Sequence, residues 1–173
     1  ENIIKEKTLL VTKNEKEISK KNSDINFHTK NNQELLTQIT DSDKVNTKHS
    51  KLKDIQSQLK EKHRSHTKLV GFFESNEDCP TCQQHIDEVF KSSMIDKKKG
   101  EADKVDSGMN ELKGELKKVL DRQKEIGNIS AKVRENEVHV AKENSSLIQL
   151  EKFNATLQSE IKQLTSGKVN NND

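Results

Sequence analysis

The residues with the clearest capacity for chemistry are two cysteines. Cys79 and Cys82 lie three positions apart near the middle of a 173-residue chain that has no other cysteine. A Cys-x-x-Cys turn presents two thiolates at a separation that suits one metal ion, and thiolates are common ligands of structural zinc. A structural zinc ion requires four ligands in a tetrahedron. The chain supplies two sulfurs at this turn, so the remaining ligands must come from elsewhere.

Three arrangements could account for the cysteine pair. In the one we favour, a second copy of the same turn completes a four-sulfur site that two chains share. Histidine from the same chain is an alternative, because His63 and His66 lie three apart and His85 follows Cys82 by three positions. The third arrangement is a metal-free redox pair, although its thioredoxin-type form requires a βαβ setting that this sequence does not predict.

The composition excludes a sizeable compact core. Hydrophobic residues form 28% of the chain and charged residues 35%, and Trp and Tyr are absent. Globular domains contain ~45–50% apolar residues when glycine is counted. This chain stays well below that level even when its six glycines are added to the hydrophobic residues. The net charge of +2, with both signs mixed along the chain, argues against a strongly basic nucleic-acid-binding module. The remaining classes are a disordered chain and a long, solvated helical structure.

Seven-residue repeats favour the helical class. In the second half of the chain the repeat consists of Val105, Leu112, Val119, Ile126, Val133, Val140 and Leu147, continued by Asn154 and Ile161. The first half carries a similar row at Ile4, Val11, Ile18, Ile25 and Ile39, which resumes out of phase at Val45, Leu52, Ile55 and Leu59. Sustained repeats of this kind are typical of left-handed coiled coils.

The two rows also mirror each other. If the chain folds back on itself, facing residues have a nearly constant sum of residue numbers. Ile4 with Ile161 gives 165, and Leu52 with Leu112 gives 164, which places the pivot near Cys82. The sequence therefore predicts an all-α fold, a long antiparallel coiled-coil hairpin with a short Cys-x-x-Cys hook at its apex.

This fold divides the chain into four predicted segments. They are an ascending coiled-coil helix over residues 1–71, a zinc-hook apex over 72–90, a descending coiled-coil helix over 91–165 and a loose tail over 166–173. Glycines occur in the descending helix at Gly100, Gly108, Gly114 and Gly127. Because each costs about 1 kcal/mol relative to alanine in a helix interior, we expect this arm to bend or fray more than the first.

Two further expectations concern side-chain packing. In the predicted register Asn32 faces Val133 and Asn154 faces Val11, so polar residues occupy the seam, where they cost stability and can fix register. A small apolar cluster surrounds the predicted apex and consists of Leu69, Val70, Phe72, Phe73, Ile86, Val89 and Phe90. These side chains could pack the head of the hairpin internally or line a contact between two apices.

The motif Cys79-Pro80-Thr81-Cys82, centred between mirrored repeats, matches the pattern C-P-x-C. It resembles the zinc hook of SMC-related DNA double-strand-break repair ATPases, which include the bacterial SbcC type, the Rad-fifty type and their phage recombination-exonuclease counterparts. The motif covers four residues, and the predicted architecture covers most of the chain. The resemblance implies that Cys79 and Cys82 of two chains bind one Zn²⁺ as a homodimer.

The resemblance also implies a role. We expect a non-enzymatic dimerisation and tethering element, without catalytic residues, from a parent ATPase that partners a nuclease and contacts DNA through a head region whose motifs are absent from this sequence. The sequence has no signal-peptide pattern and no apolar run of the ~18–20 residues that a membrane span needs, so we expect a cytoplasmic fragment, in the host cytoplasm for a phage protein. A redox-sensing coiled coil and a plain structural arm with an incidental Cys-x-x-Cys are the rival interpretations.

Overall fold

The fold, given by a computed structural model, is described for residues 2–169. It consists of helix α1 (Asn2–Thr37), helix α2 (Ser42–Ser75) and helix α3 (Glu88–Val169). Within the described residues there is no β-strand, only an isolated antiparallel bridge between Asp78 and His85. The predicted all-α class is therefore confirmed. None of the three helices is long and apolar enough to cross a membrane.

The chain divides into two units that share helix α3. Unit 1 comprises Glu1–Thr40 and Gly127–Asp173, and unit 2 comprises Asp41–Ile126. Helix α1 packs against the later part of α3 in unit 1, and helix α2 packs against its earlier part in unit 2. Each unit is thus built on two helices, without a third layer to cover them.

The helices of unit 1 are antiparallel, because later residues of α1 contact earlier residues of α3. Lys7 pairs with Glu160, Lys21 with Glu143 at 2.8 Å, and the Asn32 amide donates to the Val133 carbonyl oxygen at 3.2 Å. The contact between Asn32 and Val133 is the one that the mirrored repeats predict. The partner of the second predicted seam residue, Asn154, differs slightly from the prediction. Asn154 bonds to Asn14, which lies about one helical turn beyond the predicted partner Val11.

The helices of unit 2 are antiparallel as well. From the start of α2 to its end, contacts between side chains join Lys48 to Glu115, His63 to Asp106, and Glu74 to Lys99. The connection between α2 and α3 therefore lies at the end of unit 2 that carries the cysteines.

The predicted seven-residue row of α3 is buried in part. Its buried members are Leu112, Val119, Ile126, Val133 and Asn154, and Ala102, Leu116, Asn136 and Leu157 are buried outside the row. No described side chain falls below 2% relative exposure, because a seam between two helices is open on both flanks. One residue that the repeats place in the seam, Ile55, is exposed instead, at 43%.

The expectation of one ascending helix over residues 1–71 is wrong. Helix α1 ends at Thr37, residues 38–41 form turns, and α2 begins at Ser42. Bonds of the tighter i-to-i+3 type close the end of α1, from Gln38 N to the Leu35 carbonyl oxygen and from Ile39 N to that of Leu36. The break coincides with the change of phase between Ile39 and Val45, and it lets each row face its own stretch of α3.

The descending helix is continuous where fraying was expected. Helix α3 runs through Gly100, Gly108, Gly114 and Gly127 without interruption. A methyl group would meet nothing within 4 Å at three of these positions, and at Gly108 it would lie 3.9 Å from Leu59 Cδ1. Packing along the seam outweighs the low helix propensity of glycine, since these glycines leave no gap in the buried row.

The apex and the tail also need correction. Gly71 lies inside α2, so the non-helical connection spans residues 76–87 instead of 72–90. Helix α3 includes residues 166–169, which were expected to be loose. The remainder of that predicted tail, residues 170–173, lies outside the described residues.

Candidate functional site

Side-chain caps fix both ends of the connection between α2 and α3, which we call the cysteine turn (residues 76–87). After α2, Asn76 adopts an extended backbone and its side-chain amide donates to the Phe72 carbonyl oxygen at 2.8 Å. Before α3, the Asp87 carboxylate accepts a hydrogen bond from the Phe90 backbone N–H at 3.0 Å. Asn and Asp are preferred at such positions because their side chains satisfy backbone groups that helix ends leave unpaired. The turn is therefore held at both ends.

Backbone hydrogen bonds close the interior of the cysteine turn. Asp78 and His85 form the antiparallel bridge, and Cys79 N donates to the Gln84 carbonyl oxygen at 2.8 Å. Inside this bridge, Gln83 N donates to the Cys79 carbonyl oxygen at 2.7 Å, and Gln83 has a φ of 60°. A left-handed residue of this kind reverses the chain within a short tight turn. Both cysteines consequently lie on one compact loop.

The two thiols are free, with Cys79 half-buried and Cys82 exposed. The backbone N–H groups of Cys82 and Thr81 hydrogen-bond to the Cys79 sulfur, and they lower the pKa of the Cys79 thiol below its ordinary value of 9.0. Hydrogen-bond donors stabilise the thiolate, which is the form that binds metal or attacks a disulfide. The turn thus favours the thiolate form of Cys79, which both metal binding and disulfide exchange require.

The structure does not gather the predicted histidines around these sulfurs. His63 Nε2 lies 3.1 Å from an Asp106 carboxylate oxygen, and His66 Nδ1 lies 3.2 Å from Glu101 Oε2, without the alignment of a hydrogen bond. His85 Nδ1 lies 3.2 Å from Asp78 Oδ1 across the bridge. Across residues 2–169, no cluster of three His, Cys, Asp or Glu ligand atoms within 4.8 Å of one another includes either cysteine.

The apolar cluster near the turn serves in part to close it. Its buried members are Val70, Phe73 and Ile86, and the Phe73 ring packs edge-to-face on Phe90 with ring centroids 6.0 Å apart. Val89 is 78% exposed and Phe90 is 53% exposed. One side of the cluster therefore packs internally, as one of the two interpretations predicts, while the other leaves apolar surface beside the cysteines.

Sequence reasoning missed a second cluster of metal-ligand types, in unit 1. Asp24, His28 and His139 bring their ligand atoms within 4.8 Å of one another. The His139 imidazole, at 2.7 Å, is the main cause of a lowered pKa of the Asp24 carboxyl group. The i, i+4 spacing of Asp24 and His28 is visible in the sequence, but His139 joins them through the pairing of α1 with α3. Only that register could have pointed to the cluster.

The cysteine turn can offer a metal ion two sulfur ligands and leave half of a tetrahedral coordination sphere open to another molecule. Oxidation of its two free thiols is the other chemistry open to this turn. Comparisons of the chain with protein-family models, with curated proteins and with solved structures gave no match.

Proposed function

We propose that this chain is a zinc-mediated dimerisation and tethering element, a zinc hook in which Cys79 and Cys82 of two copies bind one Zn²⁺. The observation that supports it best is the placement of both thiols on a capped, solvent-accessible turn, where no cluster of three His, Cys, Asp or Glu ligand atoms of the described residues includes either sulfur. A zinc ion bound there by one copy would keep two open positions. In the proposed dimer, the two cysteine thiolates of a second copy occupy these positions.

The energetics favour zinc as the main source of affinity between the two copies. Structural zinc contributes about 10–16 kcal/mol in small peptides near neutral pH. The apolar surface that Val89 and Phe90 expose beside the turn is small, and it adds contact between the copies once the metal holds them together. A dimer of this kind forms when zinc binds and dissociates when zinc is removed.

The biological setting we propose rests on the resemblance of the Cys-Pro-Thr-Cys motif to a zinc hook. The chain is then the hook segment of an SMC-like ATPase of DNA double-strand-break repair and recombination, which partners a nuclease and works in the cytoplasm. Antiparallel packing of α2 on α3 supports this setting, because it presents the motif at the end of a helical pair. The segment itself acts as a link and carries out no catalysis.

Cobalt binding and molecular mass together test the proposal. Thiolate-to-cobalt charge-transfer absorption reports sulfur ligands alone, and we expect it to saturate at about one ion per two chains. Light scattering should give a dimer with zinc and a monomer after chelation or in Cys79→Ser. The control His85→Ala removes the nearest histidine and should leave both results unchanged. Saturation at one ion per monomer, abolished by His85→Ala, would show a site completed within one chain.

A redox-sensing role is the second candidate, and the lowered pKa of Cys79 favours it. Thiolate character raises the reactivity of a cysteine toward oxidants. This candidate predicts that mild oxidation of the metal-free protein joins Cys79 and Cys82 and changes the dimer population, while a chelator has no effect. Mass measurement under chelating and under oxidising conditions therefore separates the two functions.

A further inference from the structure

The cluster in unit 1 joins two helices through residues that commonly bind metals. Asp24 and His28 are four residues apart, so they share one face of α1, and His139 reaches them from α3. His139 Nε2 lies 2.7 Å from Asp24 Oδ2, His28 Nε2 lies 3.8 Å from Asp24 Oδ1, and the two imidazole centroids are 4.4 Å apart. Two imidazoles and one carboxylate therefore converge on one point.

A chain of amide hydrogen bonds determines which nitrogen of His28 faces that point. The Val133 carbonyl oxygen can only accept, so Asn32 donates to it through Nδ2 at 3.2 Å. Asn32 Oδ1 then accepts from Asn136 Nδ2 at 2.7 Å, which leaves Asn136 Oδ1 to accept from His28 Nδ1 at 3.1 Å. His28 Nδ1 must carry a proton, and in the neutral ring Nε2 presents its lone pair toward Asp24.

This arrangement matches the outer shell of known metal sites. A histidine that binds a metal usually donates its other ring N–H to an oxygen acceptor, which fixes the ring and the tautomer. Asn136 supplies that acceptor, and its side chain is buried at 8% exposure. The Phe27 ring also packs on the His28 ring in a T-shaped arrangement, with centroids 5.4 Å apart. His28 is therefore oriented before any ligand arrives.

The surroundings leave room and charge for a cation. The side chains of Asp24 and His139 remain 44% and 41% exposed, so water can provide a fourth ligand. Lys20 and Lys21 border the same groove, and the Lys21 ammonium is bound by Glu143 at 2.8 Å. Glu143 thus neutralises the Lys21 ammonium, while the Asp24 carboxylate is hydrogen-bonded by the His139 imidazole, whose Nε2 proton a bound metal ion would replace.

We propose that Asp24, His28 and His139 form a second metal site, which takes a divalent transition-metal ion of the zinc class and links α1 to α3 within unit 1. Neutral imidazole nitrogens and one carboxylate oxygen are ligands that zinc prefers, with water in the open position. This site is separate from the cysteine turn, and it holds together two helices of one chain instead of two copies.

The test uses the full chain with Cys79→Ser and Cys82→Ser, which removes the thiol ligands of the cysteine turn and keeps the cluster of Asp24, His28 and His139. Calorimetric titration with Zn²⁺ should show one ion per monomer, and the melting temperature should rise with added zinc. Asp24→Asn keeps the shape of the side chain, and we expect it to weaken zinc binding at least about tenfold. His139→Ala should weaken it further, while His49→Ala, on α2, serves as the matched control and should not change it.

Variants of Asn136, which positions the His28 ring, provide a second test of the proposed metal site. Asn136→Ala removes the acceptor of His28 Nδ1 and should reduce zinc affinity by about 10–100-fold, whereas Asn136→Asp keeps an oxygen acceptor and should restore part of it. Circular dichroism verifies that each variant remains helical. The proposal is overturned if the serine variant binds no zinc, or if it binds zinc equally well with Asp24→Asn and with His139→Ala.

Discussion

Buried amides are the main polar feature of unit 1 at the scale of single residues. Asn14 and Asn154 are buried at 5% and 7% exposure and bond to each other through Asn14 Nδ2 and Asn154 Oδ1, 3.2 Å apart. A buried amide that loses its partner keeps its desolvation cost, about 1–3 kcal/mol, while replacing both partners by apolar groups can be neutral or stabilising. The pair therefore restricts how α1 and α3 align more than it stabilises them.

A double-mutant cycle tests this interpretation. We expect Asn14→Leu to lower the free energy of unfolding by about 1–3 kcal/mol, because it leaves the Asn154 amide unpaired. Asn14→Leu combined with Asn154→Leu should recover most or all of that loss. Urea denaturation monitored by circular dichroism measures each variant. A double variant that loses the sum of both single losses would show that the amide pair stabilises the seam directly.

Asp41 and Arg122 form the strongest ion pair beside the helix break. The guanidinium donates to both carboxylate oxygens, at 3.1 Å from Nε and 2.9 Å from Nη2. This contact lowers the pKa of the Asp41 carboxyl group below its ordinary value of 3.8 and raises the pKa of Arg122. A bidentate pair at the first residue of unit 2 connects the start of α2 to α3.

The lowered pKa predicts a pH dependence of stability. Because the folded pKa of Asp41 lies below the unfolded value, its contribution is complete above pH 3.8 and is lost as the pH falls through the folded pKa. Asp41→Asn should therefore lower the melting temperature near neutral pH and should have a smaller effect in strong acid. Thermal unfolding between about pH 6 and pH 2 tests it, with Lys48→Gln as the control for a more exposed pair. An equal effect of Asp41→Asn at both ends of this range would contradict the assignment.

At the scale of elements, the helices before and after the cysteine turn differ in continuity. The residues before the turn form two helices, α1 and α2, and those after it form the single 82-residue helix α3. Glycines do not cause the break, because Gly100, Gly108, Gly114 and Gly127 all lie in the uninterrupted helix α3 and residues 38–41 contain no glycine. The break instead coincides with the shift in phase of the apolar row between Ile39 and Val45, a shift that a continuous coiled coil would have to absorb by local unwinding or overwinding.

Glycine replacements in α3 should consequently stabilise the fold. A methyl group at Gly100 or Gly114 would meet nothing within 4 Å, and alanine restricts the unfolded chain more than glycine does. We expect Gly100→Ala and Gly114→Ala each to raise the free energy of unfolding by about 0.5–1 kcal/mol. Chemical denaturation measures the gain. Gly167→Ala, close to the end of α3, is the matched control and should gain less, while destabilisation by Gly114→Ala would mean that this glycine has a packing role.

At the scale of the whole molecule, less surface is removed from water than in a compact monomer of the same mass. The accessible surface is 12895 Å², whereas a compact monomer of 19.8 kDa would expose roughly 8,600 Å². Each unit buries a single seam, and the proposed metal ions at the cysteine turn and at the unit 1 cluster would add to the stability that this seam provides. Their effects are separable, since the first changes molecular mass and the second changes the stability of a monomer.

The sequence by itself determined the class of the fold and the pairing of its halves. Seven-residue rows and a scarcity of aromatic side chains leave helices as the only way to bury apolar surface, and mirrored rows require antiparallel pairing. The contact between Asn32 and Val133 follows from that arithmetic alone. Two cysteines three positions apart were visible for the same reason, because the ligands of one turn are neighbours in the chain.

Only the tertiary structure decided the features that depend on two helices at once. The convergence of His139 with Asp24 and His28, and the partner of Asn154, both depend on how side chains of α1 and α3 meet, to within less than a helical turn. The helix break at residues 38–41 was visible as a change of phase, but its form as a turn was decided by the competition between helix continuity and burial against α3. A one-dimensional pattern sets which residues face the seam, and the packing of two surfaces sets which atoms touch.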